Sequence, residues 1–200
     1  IASEGVGIEI PSQVIIGEPT SLQVVRMHKG HISLQLTISG VSAHTGTPHL
    51  GKNAAIAAAK VITALHELAE QMKGERPQTS ESFSPEGSFP VLTVATIECG
   101  SAINVVPDLC TVGLGLRLFP HQDLDTEVAR ISNAVEKTCS LPFSLKLLGE
   151  NPTMYTSQNA PINAWLTSHI KQESPLGVSF GTDGGYLSRG EFDCVLYGPG

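Results

Sequence analysis

The 200-residue sequence predicts an α+β fold, and three observations support this prediction. Residues 32–39 alternate apolar and polar side chains, which is typical of a strand with one buried face. From Asn53 the apolar residues recur with the helical period of about 3.6 residues. Two strand-like runs, 90–98 and 110–119, then precede a second amphipathic helix and a further strand at 143–148.

The first predicted helix begins after Asn53, a residue type that is suited to an N-cap. Six apolar residues form its predicted buried face: Ala57, Val61, Ala64, Leu65, Leu68 and Met72. The second helix carries a shorter apolar stripe: Leu124, Val128, Ile131 and Val135. Together with the four strands, these helices give the order βαββαβ, the ferredoxin-like pattern.

Shorter segments flank this module. Residues 13–19 predict a buried strand whose tip carries Glu18, while 162–170 predict a helix and 193–198 a strand. The segment 73–88 is rich in Pro, Gly and Ser and predicts a mobile loop. Because the flanking pieces lack packing partners of their own, we expect the chain to be an internal piece of a larger protein.

Composition excludes several classes of partner. The chain has 12 basic and 19 acidic residues and a net charge of −7, which argues against nucleic acid and anionic membranes as partners. No apolar run approaches the roughly 20 residues that span a bilayer. The four cysteines form no CxxC pair, so reduced thiols and a cytoplasmic location are expected.

Two polar residues follow predicted strands and are candidates for chemistry. Glu18 lies between Gly17 and Pro19, where it is either a solvated turn carboxylate or a rigidly held metal ligand. His44 follows the 32–39 strand among small residues. It is either a surface loop histidine or an imidazole with steric freedom to reach a ligand.

Asn104 and Arg117 are candidates for substrate binding. Asn104 lies where a strand meets a turn and is either an Asx-turn residue or a binding residue. Arg117 shares its strand face with Thr and Gly, so its guanidinium has room to form a forked hydrogen bond with a carboxylate. The alternative for Arg117 is a sheet arginine in a salt bridge.

The Gly-rich stretch 179–187 lacks the lysine of a P-loop and the GxGxxG spacing, which excludes nucleotide binding by those motifs. Thr182 and Asp183 within it, and the backbone amides of 198–200, are suited to line a small-molecule pocket. The six other histidines form no HExxH motif and are interpreted as structural: His28, His31, His49, His66, His121 and His169.

Five ordered motifs resemble the acetylornithine deacetylase and succinyl-diaminopimelate desuccinylase family of co-catalytic zinc amidohydrolases. The resemblance covers nearly the whole chain and is closest to the acetylornithine deacetylases. It rests on "IIGEPTSLQVVRMHKGHISLQLTISGVSAHTGTPHLGKNAA", "INVVPD", "GLRLFP", "GTDGG" and "YGPG".

The resemblance implies a ferredoxin-like lid that is inserted into an α/β zinc-exopeptidase catalytic domain and forms a homodimer. The lid would span residues 30–150, between catalytic-domain segments 1–29 and 151–200. His44 would enter the active site of the partner subunit as an oxyanion donor, and Glu18 would bind metal. Five residues would bind the N-acyl amino acid substrate: Asn104, Arg117, Thr182, Asp183 and Gly198.

The resemblance also implies two zinc ions in the intact enzyme, which would activate a water for attack on the acetyl group of N-acetylornithine in arginine biosynthesis. Of the expected ligands the chain carries only Glu18, so we expect the chain alone to hold no zinc stably and to be inactive. Two alternatives remain: another hydrolase of the same family, acting on succinyl-diaminopimelate, an N-acyl amino acid or a dipeptide, or a non-catalytic dimerisation module. A ferredoxin-like sensor domain would leave the flanking motifs without a role.

Overall fold

A computed structural model of the chain describes residues 11–200. The first ten residues of the predicted segment 1–29 therefore lie outside the described residues. The helices are α1 (Ala54–Met72), α2 (Leu124–Thr138), α3 (Pro161–Ile170) and α4 (Gly184–Arg189). The strands are β1 (Gln13–Ile16), β2 (Val25–His28), β3 (Gly30–Ser39), β4 (Ala43–His44), β5 (Val91–Cys99), β6 (Val105–Val106), β7 (Leu109–Leu118), β8 (Phe143–Asn151), β9 (Met154–Tyr155), β10 (Leu176–Val178) and β11 (Asp193–Leu196).

A four-stranded antiparallel sheet confirms the predicted βαββαβ module. Its strand order is β5-β7-β3-β8, the ferredoxin-like order, with α1 and α2 packed together on one face. Alternate residues of β3 and β7 are buried against the helices, as the period-two pattern requires. The core between sheet and helices includes the predicted buried residues Val61, Leu65 and Ile131.

A second, mixed sheet contains the flanking segments. β1 pairs in parallel with β11, and β2 pairs in parallel with β10 and antiparallel with β9. The prediction of a buried strand at 13–19 is wrong in its burial, since β1 is only half-buried along its length. The reason is position: β1 is an edge strand among the described residues, with β11 as its one neighbour.

The loop 73–90 is more closely packed than its polar composition indicates. It contains two short 3-10 turns, and Phe83 within it is buried. The Phe83 ring meets the ring of Phe119 edge-on, with centroids 4.6 Å apart. The loop therefore closes over the region where β2 continues into β3.

Two backbone segments connect the sheets, and they run side by side. The chain enters the four-stranded sheet at Gly30 and leaves it at Asn151, and His31 pairs with Asn151 in the β3–β8 ladder. A Cβ atom on Gly30 would lie 3.1 Å from the Asn151 carbonyl oxygen. A side chain at position 30 would therefore require these two connections to adjust by a few tenths of an ångström.

Candidate functional site

The structure brings His44 and Asn104 together at one end of the four-stranded sheet. β4 and β6 form a short antiparallel ladder in which His44 pairs with Val105. The Thr45 amide donates a hydrogen bond to the Asn104 carbonyl oxygen (3.0 Å). Both candidate side chains are exposed, so this end of the sheet presents an imidazole and an amide to solvent.

The local geometry selects one tautomer of His44. The backbone N–H of Gly46 donates to His44 Nδ1 over 3.0 Å. Because an N–H can only donate, Nδ1 accepts, and the proton of the neutral ring is on Nε2. His44 therefore presents an exposed Nε2–H donor while its ring is held by the following turn.

Arg117 lies at the opposite end of the same sheet. It pairs with His31 of β3 and Val91 of β5. Within residues 11–200 no carboxylate lies within ion-pairing distance of its guanidinium, so the alternative of a salt-bridged sheet arginine is not observed. Partial burial lowers the pKa of Arg117, which stays far above neutrality as expected of a guanidinium.

The His44 end and the Arg117 end are too far apart to act on one small substrate within a single chain. β7 begins next to the β4–β6 ladder at Leu109 and reaches Arg117 eight residues later. At about 3.3 Å per residue this separation is about 25 Å. A small amino acid derivative spans less than half of that distance.

The mixed sheet places Glu18 beside Gly198. Glu18 follows the end of β1, and its backbone oxygen would lie 2.4 Å from a Cβ atom on Gly198. The Gly198 amide donates to Thr20 Oγ1 (3.2 Å), and the Leu22 amide donates to the Gly198 carbonyl (2.8 Å). The absence of a side chain at Gly198 thus allows the Glu18 turn to pack against the end of β11.

Thr182 and Asp183 lie at the start of α4, which the sequence did not predict as a helix. The Thr182 side chain accepts a hydrogen bond from the Gly184 amide (3.1 Å) and is buried. The Thr182 amide donates to His28 Nε2 (3.2 Å). Burial lowers the pKa of the His28 ring, and His28 is close enough to Arg117 for the guanidinium charge to act in the same direction. Arg117 and Thr182 are thus brought into one region, while His44 and Asn104 are not.

The interpretation of the sequence missed Lys29, which is 1% exposed. Its Nζ donates to the Phe89 carbonyl oxygen (2.6 Å) and lies 4.6 Å from the centroid of the Phe119 ring. Burial, with a further contribution from the Arg117 charge, lowers the pKa of Lys29 to about 8. A lysine in a strand-like stretch, between the apolar residues Val24, Val25 and Met27 and the alternating strand at 32–39, is the signal that could have identified it.

The described residues hold at most part of a metal centre. Among residues 11–200 no three His, Cys, Asp or Glu side chains are close enough to hold one ion together. Glu18 offers one carboxylate at a strand end, which is a suitable zinc ligand, but it does not complete a site. The other ligands of any zinc site here would come from outside the described part of the chain.

Comparison with known proteins now identifies the family. Residues 26–140 match the peptidase dimerisation domain of M20 type. The chain belongs to the M20 peptidase family. Within the described residues of this M20 chain, no helix has both the length and the apolar character needed to cross a membrane.

Curated relatives of this M20 chain include acetylornithine deacetylases. The protein of that name from Buchnera aphidicola is 28% identical over 194 residues, which is 95% of this chain and 49% of the relative. An Emericella nidulans protein named "Probable carboxypeptidase" is 31% identical over 94% of this chain and 44% of its own length. The chain therefore spans about half the length of the curated relatives it matches.

Solved structures share the fold of the M20 chain. The aminopeptidase PepT of Bacillus cereus superposes with a TM-score of 0.67 at 16% identity, over 92% of this chain and 47% of that protein. A tripeptidase of Staphylococcus aureus gives the same TM-score at 18% identity, over 90% of this chain and 46% of that protein. These similarities support the α+β architecture described above.

Proposed function

We propose that this chain is part of a zinc-dependent amidohydrolase that removes the acetyl group from N-acetylornithine in arginine biosynthesis. The family membership supports hydrolysis of an amide bond, and relatives at 25–28% identity are named acetylornithine deacetylase. The reduced cysteines are consistent with the proposed cytoplasmic location. The proposed lid is residues 30–150, with 1–29 and 151–200 belonging to the catalytic domain.

The separation of His44 from Arg117 is the observation that carries the mechanism. Within residues 11–200, one chain holds an exposed imidazole N–H at one end of its sheet and, about 25 Å away, a guanidinium without an ion pair. A homodimer in which each lid reaches toward its partner would place His44 of one protomer opposite Arg117 of the other. The proposed active site is therefore built by two subunits.

Each of these side chains has a distinct proposed role. His44 donates its Nε2–H to the oxygen of the amide carbonyl as negative charge develops there. Arg117 binds the α-carboxylate of the substrate with its two parallel N–H groups and so orients the amide bond. Asn104 lies beside His44 and would hold the same part of the substrate. Thr182 and Asp183 would contact the substrate on the Arg117 side, and Gly198 would contact it beside Glu18.

Zinc, when bound, supplies an activated water and a Lewis acid. Glu18 is the residue of this chain that would bind it, and the close approach of the Gly198 backbone positions the Glu18 backbone. The other ligands would be contributed by the rest of the full-length protein.

A peptidase activity is the second candidate. The 31% identical relative is named a carboxypeptidase, and a guanidinium that binds an α-carboxylate suits a peptide C-terminus equally well. A non-catalytic dimerisation module is the remaining alternative. A panel of N-acetylornithine, N-succinyl-diaminopimelate and dipeptides, together with the zinc content of the full-length protein, would separate the three.

Single substitutions test the roles of His44 and Arg117. His44→Ala should lower kcat by about 10²–10³-fold with little change in KM, because the proposed hydrogen bond strengthens in the transition state. Arg117→Lys keeps the charge but loses the fork, so it should mainly raise KM.

Mixed dimers test the two-subunit site. A dimer of one His44→Ala subunit and one Glu18→Ala subunit should recover activity in one of its two sites. That site has the intact Glu18 of the first subunit and the intact His44 of the second.

Two results would contradict this proposal. Mixed dimers that form but recover no activity would remove His44 from the active site of the partner subunit. Full-length protein that binds zinc but hydrolyses no acylated amino acid or peptide would contradict the amidohydrolase function itself.

A further inference from the structure

The backbone N–H and the backbone carbonyl of Thr182 are each held by a residue from one of the two connections between the sheets. His28 directly precedes Lys29 at the entry to β3, and its Nε2 accepts from the Thr182 N–H (3.2 Å). Asn151 ends β8 at the exit. The Asn151 amide is assigned with its nitrogen, and not its oxygen, facing the carbonyl groups around it, because only this orientation satisfies both of its polar atoms. So assigned, Asn151 donates a hydrogen bond to the Thr182 carbonyl oxygen (3.2 Å).

His28 can make its contacts in only one protonation state. Its ring is completely buried, and Nδ1 lies 2.9 Å from the Lys29 carbonyl oxygen. A carbonyl oxygen can only accept, so Nδ1 carries the proton, and Nε2 is free to accept from Thr182. The neutral Nδ1–H tautomer therefore joins the entry to β3 with the turn at Thr182.

Protonation of His28 would break this connection, because a second ring N–H would face the Thr182 N–H. Burial lowers the pKa of His28, and the Arg117 charge acts in the same direction. The neighbouring groups Lys29 and His31 are also cationic or potentially cationic, and Asp183 is exposed. Within residues 11–200 none of these cations forms an ion pair that would favour a charged ring.

The turn that His28 holds is tightly packed. A Cβ atom on Gly185 would lie 2.1 Å from the Pro152 carbonyl oxygen, and one on Gly184 would lie 2.5 Å from Met154 Sδ. The start of α4 therefore packs directly on the segment that follows Asn151. A shift of either connection would be transmitted to Thr182 and Asp183.

We propose that His28 and Asn151 are positioning residues that couple the orientation of the lid to the turn carrying Thr182 and Asp183. This inference rests on the proposed function, in which that turn lines the substrate pocket. Neither residue touches the substrate. His28 acts only as the neutral Nδ1–H tautomer, so the coupling is lost in acid.

The first test needs no substrate and uses the full-length protein. The ¹⁵N NMR shifts of the His28 ring should show a protonated Nδ1 and an unprotonated Nε2 at pH 7.5. Amide hydrogen exchange at Thr182 should be slow and should accelerate as the pH falls below the ordinary histidine value of about 6.5, after correction for intrinsic rates. A protonated Nε2 at pH 7.5 would overturn the inference.

Three substitutions, two at His28 and one at Asn151, then separate the contacts. His28→Asn keeps a donor near Nδ1 but loses the acceptor for Thr182, whereas His28→Gln keeps an acceptor near Nε2 and cannot titrate. We expect His28→Asn and Asn151→Asp to speed Thr182 exchange and to raise KM about three- to tenfold, with a smaller effect on kcat. His169→Gln, at an exposed histidine of α3, is the matched control and should behave as wild type.

The pH profile distinguishes positioning from general support of the fold. The KM of the wild type should rise in acid, while that of His28→Gln should lack this rise. Unchanged Thr182 exchange in both His28→Asn and Asn151→Asp would overturn the coupling. If the wild type proves inactive on every substrate tested, the proposed function fails, and the exchange data alone still decide whether the coupling exists.

Discussion

Lys29 shows how burial and charge compete at a single residue. Its ammonium group is enclosed by the rings of Phe83, Phe89 and Phe119, with the Phe89 carbonyl as its hydrogen-bond acceptor. The rings and the carbonyl offset part of the cost of removing the charge from water. The remaining cost appears as the lowered pKa.

We expect Lys29→Met to remove one step in the pH dependence of stability. The pKa of Lys29 is about 8 in the folded state against the ordinary 10.5. Between these values the unfolded state binds more protons, so the free energy of unfolding of the wild type should rise with pH, by up to about 3 kcal/mol. Lys29→Met should lack this rise.

Urea denaturation between pH 7 and 10.5 measures the difference. Lys60→Met replaces an exposed lysine of α1 and should follow the wild-type curve. If the free energy of unfolding rises equally with pH in Lys29→Met and in the wild type, Lys29 is not held as a buried cation.

At the scale of elements, the start of α1 determines where the His44 loop ends. Asn53 Oδ1 accepts from the amides of Ala55 (2.9 Å) and Ile56 (3.2 Å), which satisfies two of the free N–H groups of the first turn. The Ala54 amide donates to the Pro107 carbonyl oxygen (2.8 Å). The helix therefore begins against the segment that carries Asn104.

Asn53→Ala should lower the free energy of unfolding by about 1 kcal/mol, because both capping hydrogen bonds are lost. Asn53→Asp retains the accepting oxygen and should remain within a few tenths of a kcal/mol of wild type. Equal losses for the two variants would mean that the amide group, and not the cap oxygen, matters at this position. Thermal or urea denaturation gives the comparison.

At the scale of the whole molecule, the four-stranded sheet has two edges in the described part of the chain, β5 and β8. α1 packs along β5, and exposed Ile56 and Ile97 lie on these two elements. An edge strand beside an exposed apolar helix face is suited to pairing across a two-fold axis. We therefore place the proposed homodimer contact at β5 and α1.

Ile97→Lys should shift the protein from dimer to monomer in sedimentation experiments, because it buries a charge in the proposed contact. Leu147→Lys is the matched control on the other edge. The two side chains have similar exposure, 54% and 46%, so both substitutions should be equally tolerated by the protomer fold. Dissociation by Leu147→Lys but not by Ile97→Lys would move the contact to β8.

The sequence by itself determined the elements that have a regular apolar period. Alternation in residues 32–39 and the helical spacing after Asn53 specify β3 and α1, because one face of each must be buried. The short strands β2, β9 and β10 and the helix α4 have no such period. They depend on pairing and packing partners that are distant in the chain.

Motifs in the sequence also indicated which residue types could form a site, but not how they are arranged. Only the tertiary structure places His44 with Asn104, because their neighbourhood depends on the pairing of β4 with β6. That pairing also places both residues at the Leu109 end of β7, about 25 Å from Arg117. The same holds for His28, a residue the sequence presents as structural. Its connection to Thr182 joins positions 154 residues apart, and only the packing of the two sheets creates it.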